Sequence, residues 1–215
     1  MTDQPPPAPQ EPTPDSPPPA APPPASGWTA PASAGAPAAG AGGFVYADVP
    51  NRAIAYIIDA IILFVINLVV GIVLGAILGP SVSIDFDSGQ VTTNWGSAVV
   101  SAIVSTLVTG LYFVYTWTSM RGSPGQRVLG MQVGNAADGA TITMDQAIRR
   151  WIFLGAPFGI ASAFAGAGTL GLIIGLAGFA YFIYLLVTTA QSPTKQGFHD
   201  KQANTVVVKA ARAVG

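Results

Sequence analysis

From Trp151 to Ala190, forty consecutive residues carry no charged side chain, and two further apolar runs precede them, Ile54 to Leu78 and Ser97 to Thr118. A helix needs about 20 such residues to cross the hydrocarbon of a bilayer, where its backbone must satisfy its own hydrogen bonds. The first run holds only Asp59 and Asn67 as strongly polar members and ends at Gly79-Pro80. The second closes on Tyr112, Tyr115 and Trp117, placed as an interfacial aromatic group would be. The forty-residue run is too long for one ordinary span and breaks at Ala165 to Gly171. The expected fold is therefore all-α, a polytopic membrane helical bundle. Its four spans fall at about 54–78, 97–118, 151–165 and 170–189, the third short enough to be re-entrant or interfacial.

Charge supports this class. Only 9% of the 215 residues are charged, where a soluble domain carries about 25%. All nine basic residues fall on one side of a four-span arrangement. Arg52 precedes the first span, Arg121, Arg127, Arg149 and Arg150 lie in the loop 119–150, and Lys195, Lys201, Lys209 and Arg212 follow the last span. The loop between the first two spans holds Asp85 and Asp87 and no Lys or Arg. Positive charge stays cytoplasmic, so both termini are expected there, in a multi-pass protein of the plasma (inner) membrane. Interfacial placement of the third segment would break that parity. The lipid bilayer is the first expected partner. Nucleic acid is not expected, because no basic surface with interleaved aromatics is present. The chain has no cysteine, hence no disulfide framework and no thiolate-bound zinc.

Residues 1–45 are a different kind of chain. Fourteen of the 19 prolines lie before residue 40, the segment has no Lys or Arg, and Trp28 and Phe44 are almost its only large apolar groups. It cannot bury enough apolar surface to offset its ordering entropy, so it reads as a disordered tail with polyproline II stretches. It serves either as a solvated spacer or as a ligand for an aromatic groove on a cytoplasmic partner. It lacks the basic and apolar regions of a cleavable signal, so it is expected to stay attached.

Asp59 is the costly residue, because a charge at mid-membrane costs about 2.5 to 3.5 kcal/mol on insertion scales. Arg52 lies seven residues earlier, near the same helix face. Side chains lean toward a helix N-terminus, so Asp59 tilts toward Arg52, with a water or third residue expected to bridge them. The pair reads either as a proton or cation site or as a polar clamp between helices. Ser97, Ser101, Ser105 and Thr109 recur every four residues on the second span. With Asp59 and Asn67 they line a hydrated path, or else they simply let helices pack closely. Gly71, Gly75 and Gly79, Gly155 and Gly159, and Gly171 and Gly175 carry the same close-packing spacing.

In the loop 119–150, GSPGQ reads as a turn, RVLGMQV and ATITM as short strands, and NAADG as their hairpin connection. Thr143 with Gln146 forms a capping-box pattern opening a helix that carries Arg149 and Arg150. Those arginines either snorkel to lipid phosphates or one of them pairs with Asp200. His199 beside Asp200 lacks a nucleophile at a defined spacing and a second metal ligand, so neither catalysis nor a metal or cofactor site is expected.

Three stretches, NRAIAYIIDAIIL, RGSPGQRVLGMQV with DGATITMDQAIRR, and GFHDKQANTVVV, together resemble the RDD (Arg-Asp-Asp) membrane family over about residues 46–209. The three signature positions fall on Arg52, Asp59 and Asp200. The resemblance implies a bacterial or archaeal membrane protein of the transport class, with sodium–proton exchange among the activities to test. The proline-rich tail is similar to those of actinobacterial members. A bundle this small is expected to work as a homo-oligomer or with a membrane partner.

Overall fold

The computed structural model describes residues 45–209. The tail up to residue 44 and residues 210–215, including the expected disorder and polyproline II, lie outside the described residues.

Helix α1, Val49–Leu78, starts where Asp48 caps it, the Asp48 carboxylate accepting from the Asn51 amide at 3.0 Å, with Pro50 in the first turn. It ends at Gly79, whose φ of 79° is open to glycine, with Pro80 next. Only Ala55, Asp59 and Leu63 are buried along it, a stripe at spacing four, while Ile57, Phe64, Ile72 and Ile77 point outward. Such a surface suits hydrocarbon and not water. A short hairpin follows, β1 (Val82–Ile84) antiparallel to β2 (Val91–Thr93). Asn94 then caps α2, Trp95–Met120, which stops at Arg121 in a left-handed conformation.

The end of α2 leads into α3, Pro124–Val128, and strand β3, Met131–Asn135. Helix α4, Met144–Leu154, opens with the Thr143–Gln146 capping box formed in both directions. It stops at Gly155 and α5, Ala156–Ser162, begins there. Helix α6, Thr169–Gln191, leads through a turn to α7, Phe198–Gln202, and strand β4, Thr205–Lys209.

Among the described residues three helices, α1, α2 and α6, are long and apolar enough to cross a membrane. The segment expected as the third span is not a helix of that length, because the chain breaks at Gly155 between α4 and α5. It nevertheless runs the length of α2 in the opposite direction. Trp151 stacks on Phe113 at 5.7 Å, Gly159 meets Thr106, and the Thr93 hydroxyl donates to the Gly166 carbonyl at 3.0 Å. The turn before α6 therefore lies beside the β1–β2 hairpin, and α4 and α5 lie along α2 as two short helices.

The opposite end gathers the rest. Strands β3 and β4 pair antiparallel, Met131 with Lys209 through Asn135 with Thr205. The segment before α1 joins them, Ala47 donating to the Val207 carbonyl at 2.9 Å and Lys209 to Val45 at 2.8 Å. Three local expectations are corrected here. GSPGQ is the capped start of α3, not a bare turn, because Ser123 and Gln126 satisfy its first amides reciprocally. ATITM is not a strand: it shares one backbone bond with β3, from the Asn135 amide to the Ala140 carbonyl, while β3 forms its ladder with distant β4, whose valines are buried where residues 140–143 are not continuously so. RVLGMQV is divided between α3 and β3. Ala55, Phe113, Trp117, Met131, Val133, Ile142, Ala147 and Val207 form one buried cluster at this end.

Candidate functional site

Two buried polar groups border one cavity at the end where both strands β3 and β4 lie. The first centres on Asp59, 2% exposed, on the buried stripe of α1. Its carboxylate accepts from the Tyr112 hydroxyl at 2.8 Å, from the Gly125 amide at 2.9 Å and, through a short bond, from the Ser123 hydroxyl. Ser123 is the cap of α3 and Gly125 lies in its first turn, where amides lack intrahelical acceptors. Asp59 thus ties α3 to α1. A side chain at Gly125 would overlap the Ala55 carbonyl, which is why the SPG turn can lie so close to α1.

The second group centres on Asp200, fully buried in the first turn of α7. Arg52 Nη1 donates to Asp200 Oδ2 at 2.8 Å, and Arg150 Nη1 donates to Oδ1 through a short bond. The Gly197 amide adds a third donor at 3.0 Å. Arg52 also donates to the carbonyls of Ala47 and Val207, at 3.1 and 3.3 Å, and Arg150 to the Thr205 hydroxyl at 2.8 Å. Arg150 lies over the Trp117 ring, 4.9 Å from its centroid. Burial pushes the Asp200 carboxyl up, but Arg150, Arg52 and the Gly197 amide outweigh it and hold it well below the usual carboxylate range. His199 Nε2 stands 3.5 Å from Asp200. Burial, reinforced by the two arginines against the pull of Asp200, brings the imidazole down to about 4, so it is neutral at neutral pH.

The expected bridge between Arg52 and Asp59 is therefore replaced. Each turns to another element, Arg52 to α7 and β4 and Asp59 to α2 and α3, because those packed elements offer donors and acceptors closer than a neighbour two turns away on the same helix. Of the two arginines expected to snorkel or to pair, Arg150 is buried on Asp200, whereas exposed Arg149 pairs with Asp145 one turn earlier at 3.0 Å. Asn67, Ser101 and Ser105 stand apart from both groups. Asn67 donates to the Leu63 carbonyl and to Thr109, and its Oδ1 is buried without a partner. Tyr112, Ser123, Gly125 and Thr205 complete the groups; Tyr112, expected as an interfacial aromatic, turns its hydroxyl inward to Asp59, and no site role was legible in the sequence for the other three. Ser123 and Gln126, three apart, do carry a capping-box signal that could have marked the α3 start.

Between α1, α2, α4 and α6 lies a cavity of about 490 Å³. Arg52, Asp59, Gln126, Arg150, Thr189 and His199 supply its polar lining, and Leu154, Phe158, Phe182, Leu185 and Leu186 much of its apolar lining. Asn67, Ser101 and Ser105 do not line it. No group of three or more His, Cys, Asp or Glu suited to a metal occurs among the described residues.

Membrane-length helices with outward apolar faces, and charged groups gathered at one end of them, define a multi-pass membrane protein. The RDD family model matches residues 46–204, and the chain belongs to that family. No curated protein and no solved structure matches it.

Proposed function

We propose that this chain is a plasma (inner) membrane protein of the transport class, exchanging a proton or sodium ion at Asp59, with Arg52 and Asp200 setting the affinity and gating the cytoplasmic end. One observation carries the reading: Asp59, a buried carboxylate on a membrane-length helix, lines the same cavity as Arg52 and Arg150. Ionisable groups inside such helices commonly mark ion pathways. The end bearing this cavity also bears the basic residues among those described, while the β1–β2 end carries Asp85 and Asp87 and no Lys or Arg, which supports cytoplasmic termini. A bundle with so few membrane-length helices works as a homo-oligomer or with a membrane partner. The test is flux in vesicles of purified protein containing a pH dye under an imposed sodium gradient, wild type against Asp59→Asn. Flux in wild type and its loss in the variant support the reading, and no flux in wild type removes it.

A second reading is favoured by the three donors already engaged at Asp59: a membrane anchor or scaffold whose charged groups are structural and whose proline-rich tail recruits a cytoplasmic partner. Deleting residues 1–43 would then release the partner while the bundle stays inserted. Retention of every partner by the truncated protein would count against it.

A further inference from the structure

The cavity has two chemically different halves. Its apolar half includes Ile57 of α1 and Phe182 of α6, 59% and 39% exposed, so it opens onto the surface those membrane-length helices present. Deeper in, Phe158, Leu185 and Leu186 continue the same lining. The other half carries Arg52, Arg150, Asp59 and His199. Asp200 lies behind the two arginines, fully buried, and does not line the cavity.

Around Asp200 the guanidiniums outnumber the carboxylates, the second carboxylate of this half being Asp59. Two guanidiniums share the one carboxylate of Asp200. Arg150, 2% exposed, keeps its Nε donor without an acceptor, and the buried Nδ1 of His199 also lacks a partner. Asp59 already accepts three bonds from the protein. A buried donor without an acceptor is costly, and an anionic group beside Arg150 would relieve that cost. A free anion would leave the apolar half empty, whereas a volume of about 490 Å³ lies within the range of about 300 to 1,000 Å³ typical of small-molecule sites.

We propose that this cavity binds an anionic lipid from the surrounding bilayer, its head group on the guanidinium side of Arg52 and Arg150 and a hydrocarbon chain along Ile57, Phe182 and Leu186. This goes beyond the ion-exchange reading and does not depend on it, because binding is measured at equilibrium with no gradient.

The experiment is native mass spectrometry of the full chain in detergent. Phosphatidylglycerol and phosphatidylcholine with identical acyl chains are titrated, and glycerol 3-phosphate supplies the head group alone. Ala53→Trp and Leu186→Trp fill the cavity from α1 and α6, and thermal melting identifies which of them is folded. We expect phosphatidylglycerol to bind at least about tenfold tighter than phosphatidylcholine, with a loss of about tenfold in a folded filled variant. Glycerol 3-phosphate should not bind at the same concentrations. Equal affinity for the two lipids, undiminished binding in a folded filled variant, or binding of the head group alone as tight as the lipid would each overturn the proposal. If neither tryptophan variant folds, the lipid comparison and the head-group arm still decide it.

Discussion

Arg52 and Asp200 are 148 positions apart in the sequence and 2.8 Å apart in the structure, so the start of the first membrane-length helix is joined to the segment that follows the last. Arg150 completes the contact from α4. One carboxylate thus holds three parts of the chain at one end of the bundle. Removing one partner of a buried ion pair is strongly destabilising, because the remaining charge is left uncompensated.

Asp200→Asn should therefore lower stability by about 3 to 5 kcal/mol, read as a fall in the detergent melting temperature. The Asp200 carboxyl is held below its ordinary value, so its contribution is complete at neutral pH and is lost only as pH falls below the usual carboxylate range. A variant that melts like wild type at pH 7 would show that the two arginines are satisfied elsewhere.

The two adjacent arginines of α4 should behave differently. Arg149→Ala breaks an exposed pair with Asp145 and should cost less than about 1 kcal/mol. Arg150→Ala strips Asp200 of a buried donor and should cost about 3 to 5 kcal/mol. Equal melting shifts for the two variants would contradict the structure.

His199 gives the fold a pH dependence of its own. Its imidazole, lowered from 6.5 to about 4, stays neutral in the folded protein where the unfolded chain takes up a proton. Stability should fall as pH drops from about 6.5 to about 4, by about 3 kcal/mol in all, and change little further below that from this group. His199→Gln should flatten that slope. A pH profile of melting that is the same in both proteins would exclude this role.

Around Asp59, Ser123→Ala and Tyr112→Phe each remove one donor from a buried carboxylate and should cost about 1 to 3 kcal/mol. In an Asp59→Asn background each should cost less, since the interaction they lose is already altered. Strict additivity by thermal melting would mean that the three side chains do not act together.

Much of the architecture was legible in the sequence, because hydrophobic runs of membrane length and the capping pattern at Thr143 are local signals. The composition of Ile54 to Leu78 was enough to expect a helix with Asp59 as its costly member. Its partners were not legible. Tyr112, Ser123 and Gly125 lie 53 to 66 positions away, and nothing in their local spacing says that α2 and α3 will meet α1 there. The same holds for β3, where a plausible nearby strand in ATITM lost to β4, more than sixty residues further on.

The sequence by itself determined that the chain would bury its helices in lipid, where charge is scarce, and that Asp59 would be its expensive residue. A long uncharged run is enough to set that, since hydrocarbon accepts little else. Only the tertiary structure decided that Arg52 pairs with Asp200 and not with Asp59, that the segment expected as the third span breaks at Gly155, and that two polar groups and an apolar lining close on one cavity. Those outcomes depend on which elements pack together, and a buried charge turns to the partner that packing brings within hydrogen-bond reach.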